Sequence, residues 1–79
     1  MHQARQQIAP GIEAGPDLVS GTPVLQGTRI PIWAVVRALV DLGSIEEVAR
    51  SYEVEPEQIK QALSYTADVL EDIRVGVLT

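Results

Sequence analysis

The stretch SIEEVARSYEVEPEQIKQAL (Ser44–Leu63) is the part of this chain from which its architecture can be worked out. Its apolar residues recur every three or four positions, which is typical of amphipathic helices. Ser44 followed three residues later by Glu47 is a capping box, so we predict that a helix begins there. The segment EVEP breaks the pattern, and Pro56 suits the first position of the next helix. Two helices joined by a tight break are therefore expected.

The apolar positions also predict which helix faces are buried. The expected stripes are Ile45, Val48, Ala49 and Tyr52 in the first of these helices and Ile59, Ala62, Leu63, Thr66 and Leu70 in the second, with Val69 and Ile73 beside them. Ala49 is a small residue at a position where two helices must approach closely. Val54 is an apolar residue that is expected to fill the break between them. The pattern matches a DNA-binding helix–turn–helix, although any compact three-helix unit needs similar residues.

Upstream, the stretch PVLQGTRIPIW combines two short apolar runs with a glycine turn. Glycine at the first central position suits a type II′ turn, so Gly27-Thr28 is expected to join Val24–Gln26 to Arg29–Ile30 in a short hairpin. From Pro31 the period becomes helical, and Gly43 is the expected end of that helix. Its predicted buried stripe is Ile32, Val35, Val36, Leu39 and Val40.

The predicted fold is therefore mainly α, with a short N-terminal β-hairpin followed by a three-helix helix–turn–helix domain. Residues 1–11 are polar and show no period, so they are expected to form a flexible tail. Residues 12–73 make a single domain, and residues 74–79 form a C-terminal tail.

Composition restricts the possible functions. The 79 residues include no cysteine and one histidine, His2, which excludes disulfides and leaves no zinc-ligand set. No apolar run approaches the ~18 residues of a membrane span, and the first residues lack the apolar stretch of a signal peptide. We expect a cytoplasmic protein without membrane contact, cofactor or metal. No catalytic constellation is visible, so an enzyme is not expected.

Charge is distributed unevenly along the chain. Residues 1–43 hold three arginines and three acids, whereas residues 44–72 hold two basic and eight acidic residues. An acidic surface repels phosphate. Acids in the first turn of a helix also complement its dipole, which is a structural explanation for the glutamates around Pro56.

Nucleic-acid binding and self-association are the two hypotheses that name residues. DNA contact is predicted for Arg29, Arg37, Arg50, Gln58, Lys60 and Gln61. Arg29 alone beside a glycine turn also fits a purely structural role. A hairpin leaves unpaired strand edges, so a dimer interface is predicted at Val24, Leu25, Ile30, Ile32 and Trp33.

The chain resembles the family catalogued as domain of unknown function 433, over about residues 12–70. Members carry a G-x-P-V-x-x-G-T-R-I-P-V run, followed by an acidic second helix and a third helix of the type IxxALxYA. The matching residues are Gly21, Pro23, Val24, Gly27, Thr28, Arg29, Ile30 and Pro31, then Ser44, Glu46, Glu47, Ile59, Ala62, Leu63 and Tyr65. Thr22 and Gln26 stand where members often carry Lys and Arg, so this hairpin has less basic character.

The resemblance implies a homeodomain-like helix–turn–helix and the role of an antitoxin, similar to VapB-type antitoxins whose partner is a PIN-like ribonuclease toxin. It also implies a homodimer or higher homo-oligomer that binds its own promoter DNA. The alternative is a protein-interaction module of helix–turn–helix shape without nucleic-acid binding, which the acidic third helix favours.

Overall fold

The computed structural model describes residues 5–18 and 21–73. They form three strands and three helices: β1 (Gln6–Ala9), β2 (Ile12–Ala14), β3 (Val24–Leu25), α1 (Ile32–Leu42), α2 (Ile45–Tyr52) and α3 (Pro56–Glu71). An antiparallel strand hairpin followed by three helices is the predicted fold class, which is confirmed. Residues 1–4 and the predicted tail at 74–79 lie outside the described residues.

The first hairpin is formed by β1 and β2, which pair antiparallel with a bulge between Gln7 and Ala9. We predict no regular element before residue 12, and this is wrong for Gln6–Ala9. The reason lies in Pro10 and Gly11, which connect the two strands. Gly11 adopts φ +74°, a conformation that glycine enters without penalty, and the chain reverses there.

Strand β3 completes a sheet with the order β1-β2-β3. On the side of β3 that faces away from β2, Leu25 N donates to Ile30 O at 3.0 Å. The predicted pairing of the two apolar runs is therefore present in a short form. The turn between them is displaced by one residue from the prediction. Thr28 N donates to Leu25 O at 3.0 Å, which makes Gln26 and Gly27 the central pair, with Gly27 at φ +76°.

The helix ends follow the predicted signals closely. Gly43 ends α1 in the left-handed conformation, at φ 76°, and Pro31 is the N-cap rather than the first helical residue. Ser44 caps α2 by accepting from Glu47 N at 3.2 Å. A capping box would also have the Glu47 carboxylate accept from the Ser44 amide. Here that carboxylate pairs with Arg50 instead, at 2.8 Å.

The break between α2 and α3 is stabilised by a backbone turn and by a side-chain cap. Glu53 lies in the left-handed region at φ 59°, which lets Val54 N donate to Ala49 O at 2.9 Å. Gln58 then caps α3, because its Oε1 accepts from Glu55 N at 3.0 Å. The tight break that the sequence predicts is thus confirmed.

The core lies where β2 and β3 meet the three helices. Its buried members are Ile12, Leu25, Ile32, Val35, Val48, Ala49, Ile59 and Ala62. The predicted stripe of α2 is confirmed, whereas Val40 on α1 and Val69, Leu70 and Ile73 at the end of α3 are exposed. In α3 the buried residues, Ile59 and Ala62, belong to its first half, so the apolar stripe of its second half is uncovered.

None of the helices in the described ranges combines the length and apolarity that a membrane span requires.

Candidate functional site

The turn QGTR, a candidate ligand loop, is held by hydrogen bonds within the chain. The Gly27 amide donates to Glu13 Oε1 at 3.0 Å. Thr28 Oγ1 donates to Leu25 O at 2.8 Å and accepts from Ile30 N at 3.0 Å. The amides of Gln26 and Thr28 donate to Gly11 O and Leu25 O, so three successive amides of the turn already have acceptors and do not form a free cradle for a phosphate.

Arg5, in the N-terminal segment, also holds the QGTR turn in place. Its Nη1 donates to Thr28 O and lies 3.4 Å from Glu13 Oε1, and its Nε donates to Asp17 Oδ2 at 3.2 Å. Sequence reasoning placed Arg5 in a tail and missed this role. No local pattern identifies it, because Arg5 and Thr28 are 23 positions apart.

Arg29 is the charged side chain of the turn itself. It is 72% exposed and lies 3.9 Å from Asp17, a weak contact. It lines a cavity of about 410 Å³ together with Trp33, over a floor that includes the buried Val24. Arg29 therefore remains accessible, while the amides of the three residues before it are hydrogen-bonded within the chain.

The other predicted DNA-binding residues lie on all three helices. Arg37 on α1 and Lys60 on α3 are exposed. Arg50 is ion-paired to Glu47, and Gln58 is engaged in capping α3.

Gln61 packs against the β1–β2 turn. A side-chain carbon at Gly11 would collide with its amide group, so the strand hairpin lies directly on this part of α3. Lys60 and Gln61 share a cavity of about 370 Å³ that Glu57 and Asp68 also line. The structure therefore brings together two of the six residues that were predicted to bind DNA, and two carboxylates line the same cavity.

The exposed surface of α2 and α3, with the residues that join and follow them, carries most of the chain's negative charge and is here called the acidic face. Its carboxylates are all exposed: Glu46, Glu47, Glu53, Glu55, Glu57, Asp68, Glu71 and Asp72. Within residues 45–72, which are described throughout, only Glu47 has a basic group within ion-pair distance. On α3 this face follows the helical period through Glu57, Lys60, Ser64, Asp68 and Glu71.

A second surface, here called the apolar face, lies between α1 and the end of α3. Its groove of about 390 Å³ is lined mainly by Ile32, Trp33 and Val36 of α1 and Tyr65, Val69 and Leu70 of α3. Trp33 is 66% exposed and Leu70 is 60% exposed. Val40, 71% exposed, continues the α1 stripe by one turn. Contiguous exposed apolar side chains of this kind mark an interaction surface.

The predicted dimer interface is divided by the structure. Val24, Leu25 and Ile32 are buried in the chain's own core, at 2%, 0% and 6% exposure. Strand β3 has β2 on one side and the segment Ile30–Pro31 on the other, so neither edge of β3 is open for pairing with a second copy. Ile30 is half-buried, and Trp33 is the exposed member of the set.

Comparison with known proteins identifies relatives but no activity. Residues 12–66 match the model of a family described as a protein of unknown function, DUF433. The chain is also similar to the uncharacterised protein y4eO of Sinorhizobium fredii (strain NBRC 101917 / NGR234), with 31% identity over 55 residues. That match covers 68% of this chain and 25% of the relative, so the chain spans a quarter of that protein's length. No solved structure is significantly similar to the chain.

Proposed function

The chain belongs to the DUF433 family of proteins of unknown function, and we propose that it is an antitoxin-like component that neutralises a PIN-like ribonuclease toxin. The acidic face binds the basic surface with which the ribonuclease holds its RNA. The observation that carries this proposal is the set of eight exposed carboxylates along α2 and α3, seven of which lack a basic partner in the described residues.

The electrostatics support a protein partner with a positive cleft. Complementary charge steers association and raises its rate at low ionic strength. An RNA-binding cleft is such a surface, because it must attract phosphates. A helix that presents Glu57, Asp68 and Glu71 along one side supplies carboxylates at a spacing of one to three helical turns, in place of those phosphates.

Co-expression with the product of the neighbouring gene tests the proposal. A PIN-like ribonuclease should co-purify with the chain, and the purified complex should cleave a single-stranded RNA more slowly than the free ribonuclease. Binding should weaken as salt rises from about 0.05 to 0.5 M, because screening shortens the range of the charges. A neighbouring nuclease that neither binds the chain nor loses activity would refute the proposal.

DNA binding is a second candidate, supported by the connection between α2 and α3. Glu53 turns the chain through the left-handed region and α3 follows at once, as in a helix–turn–helix. Lys60 is exposed near the start of α3, where a recognition helix contacts bases, but Glu57 lies one turn before it. The charges of this helix favour a protein partner over DNA.

A gel-shift titration with the DNA upstream of the gene separates the two candidates. A DNA reader binds at low salt and loses affinity on Lys60→Glu. If the chain binds the ribonuclease but no DNA, it is an interaction module of helix–turn–helix shape.

A further inference from the structure

We propose that the apolar face is a self-association surface, on which a second copy of this chain packs about a two-fold axis. The interface consists of Trp33 and Val40 on α1 and of Val69, Leu70 and Ile73 at the end of α3. It lies on the helices and differs from the strand hairpin, whose apolar residues are already inside the core.

The shape of this face suits a partner identical to itself. Trp33 projects from α1 with 66% of its surface exposed, and a groove of about 390 Å³ lies beside it between α1 and α3. In a two-fold interface the same patch serves both subunits, so each copy must carry a projection and a recess. Both features are present here on one face.

The available area agrees with a dimer of ordinary size. Trp33, Val40, Val69, Leu70 and Ile73 are between 43% and 71% exposed. Together they present roughly 400–500 Å² of apolar surface. A standard interface buries about 800 Å² per partner, of which a little over half is apolar. The exposed apolar surface is therefore about what such an interface needs.

Charge distinguishes this face from the rest of the helical surface. Its flanking charges have both signs, with Arg37 beside Trp33 on α1 and Asp72 at the end of α3. The acidic face would place like charges against each other in a symmetric dimer, which is unfavourable. A second copy is thus compatible with the apolar face and repelled by the acidic face.

The size of the chain is an independent reason to cover this face. A domain of this length buries about 60% of its unfolded surface and gains only a few kcal/mol from its core. Here the core cluster has eight buried members, while five large apolar side chains around the apolar face remain in water. Association removes that surface from water without any new element.

Sedimentation equilibrium from about 1 to 200 µM, with the fluorescence of Trp33 recorded over the same range, tests the proposal. The wild-type chain should become dimeric as concentration rises. Trp33, the only tryptophan, should shift its emission to shorter wavelength as it leaves water. Leu70→Glu should weaken association at least about tenfold and abolish the shift.

Leu42→Glu is the matched control. Leu42 is an exposed apolar residue, 46% accessible, on the side of α1 opposite to Trp33. The Leu42→Glu variant should dimerise like the wild type. Circular dichroism should show that Leu42→Glu and Leu70→Glu are both folded. Glu57→Lys changes the acidic face and should leave the dimer intact, so failure of ribonuclease binding and failure of dimerisation are distinguishable.

Three outcomes overturn the proposal. One is a chain that stays monomeric at every concentration with constant Trp33 emission. Another is a dimer that Leu70→Glu does not weaken, since its interface then lies elsewhere. The third is a monomer whose Trp33 becomes buried only when a different protein binds.

Discussion

The Glu13 carboxylate on β2 accepts a hydrogen bond from the backbone amide of Gly27 at 3.0 Å. This contact connects the QGTR turn to strand β2, through a residue fourteen positions earlier in the sequence. The Glu13 side chain is largely buried, at 18% exposure, and also lies 3.4 Å from Arg5. The most distinctive motif of the chain is therefore part of its folding framework.

Glu13→Ala should lower the free energy of unfolding by about 1–2 kcal/mol, because it removes a charged acceptor from the Gly27 amide. Chemical denaturation measures the change. Glu13→Gln keeps an acceptor oxygen and should cost less. Arg29→Ala should stay within about 0.5 kcal/mol of the wild type, since Arg29 is exposed. A large loss with Arg29→Ala would mean that its guanidinium also holds the turn.

Thr28→Val should destabilise the domain by about 1–3 kcal/mol. The valine has nearly the same shape but neither donates to Leu25 O nor accepts from Ile30 N. Thr28→Ser preserves both bonds and should retain most of the stability. A Thr28→Val variant as stable as the wild type in urea denaturation would show that the two hydroxyl hydrogen bonds do not stabilise the turn.

Glu53→Gly should stabilise the protein by about 0.5–1 kcal/mol. Glu53 adopts φ 59°, where a side chain is strained and glycine is not. Glu53→Ala removes the charge and keeps the Cβ, so it should gain little. If thermal unfolding shows the same gain in both variants, the carboxylate rather than the backbone is the source of the cost.

Ala49→Leu should destabilise the domain by about 1–3 kcal/mol, because Ala49 is 3% exposed in the core cluster and the extra atoms have no space there. Ala67→Leu is the matched substitution at an exposed position of α3 and should change stability by less than about 0.5 kcal/mol. Denaturation midpoints compare the two. Tolerance of leucine at position 49 would contradict close packing of α2.

Glu57→Lys should slow association with the ribonuclease several-fold at low salt, because it reverses a charge on the acidic face. Asp41→Lys makes the same charge change on α1 and should have a smaller effect. Surface plasmon resonance at two salt concentrations measures both rates. Equal slowing by the two variants would indicate that net charge, and not the acidic face, governs binding.

Local signals in the sequence sufficed for the helices. Gly43, Ser44 and Pro56 mark helix ends because glycine, a capping hydroxyl and a proline act within one turn of backbone. The period of Val48, Ala49, Ile59 and Ala62 identified buried positions because each helix has one face toward the core.

The candidate site was less predictable. Gln58 and Gln61 have the residue type of a base reader, but one caps its own helix and the other meets Gly11. Trp33, a predicted contact residue, is exposed, and the groove beside it is formed only because α3 packs next to α1. The apolar period of α3 does not reveal that Val69 and Leu70, unlike Ile59 and Ala62, are exposed.

By itself the sequence determined the helix boundaries to within about one residue, the left-handed Gly43 and the acidic character of α2 and α3, because each depends on neighbours a few positions apart. Tertiary structure alone decided that β1 joins the sheet, that Arg5 and Glu13 hold the QGTR turn, and that Val69 and Leu70 at the end of α3 are exposed. These features depend on contacts between segments far apart in the chain, and no local pattern specifies which surfaces will meet.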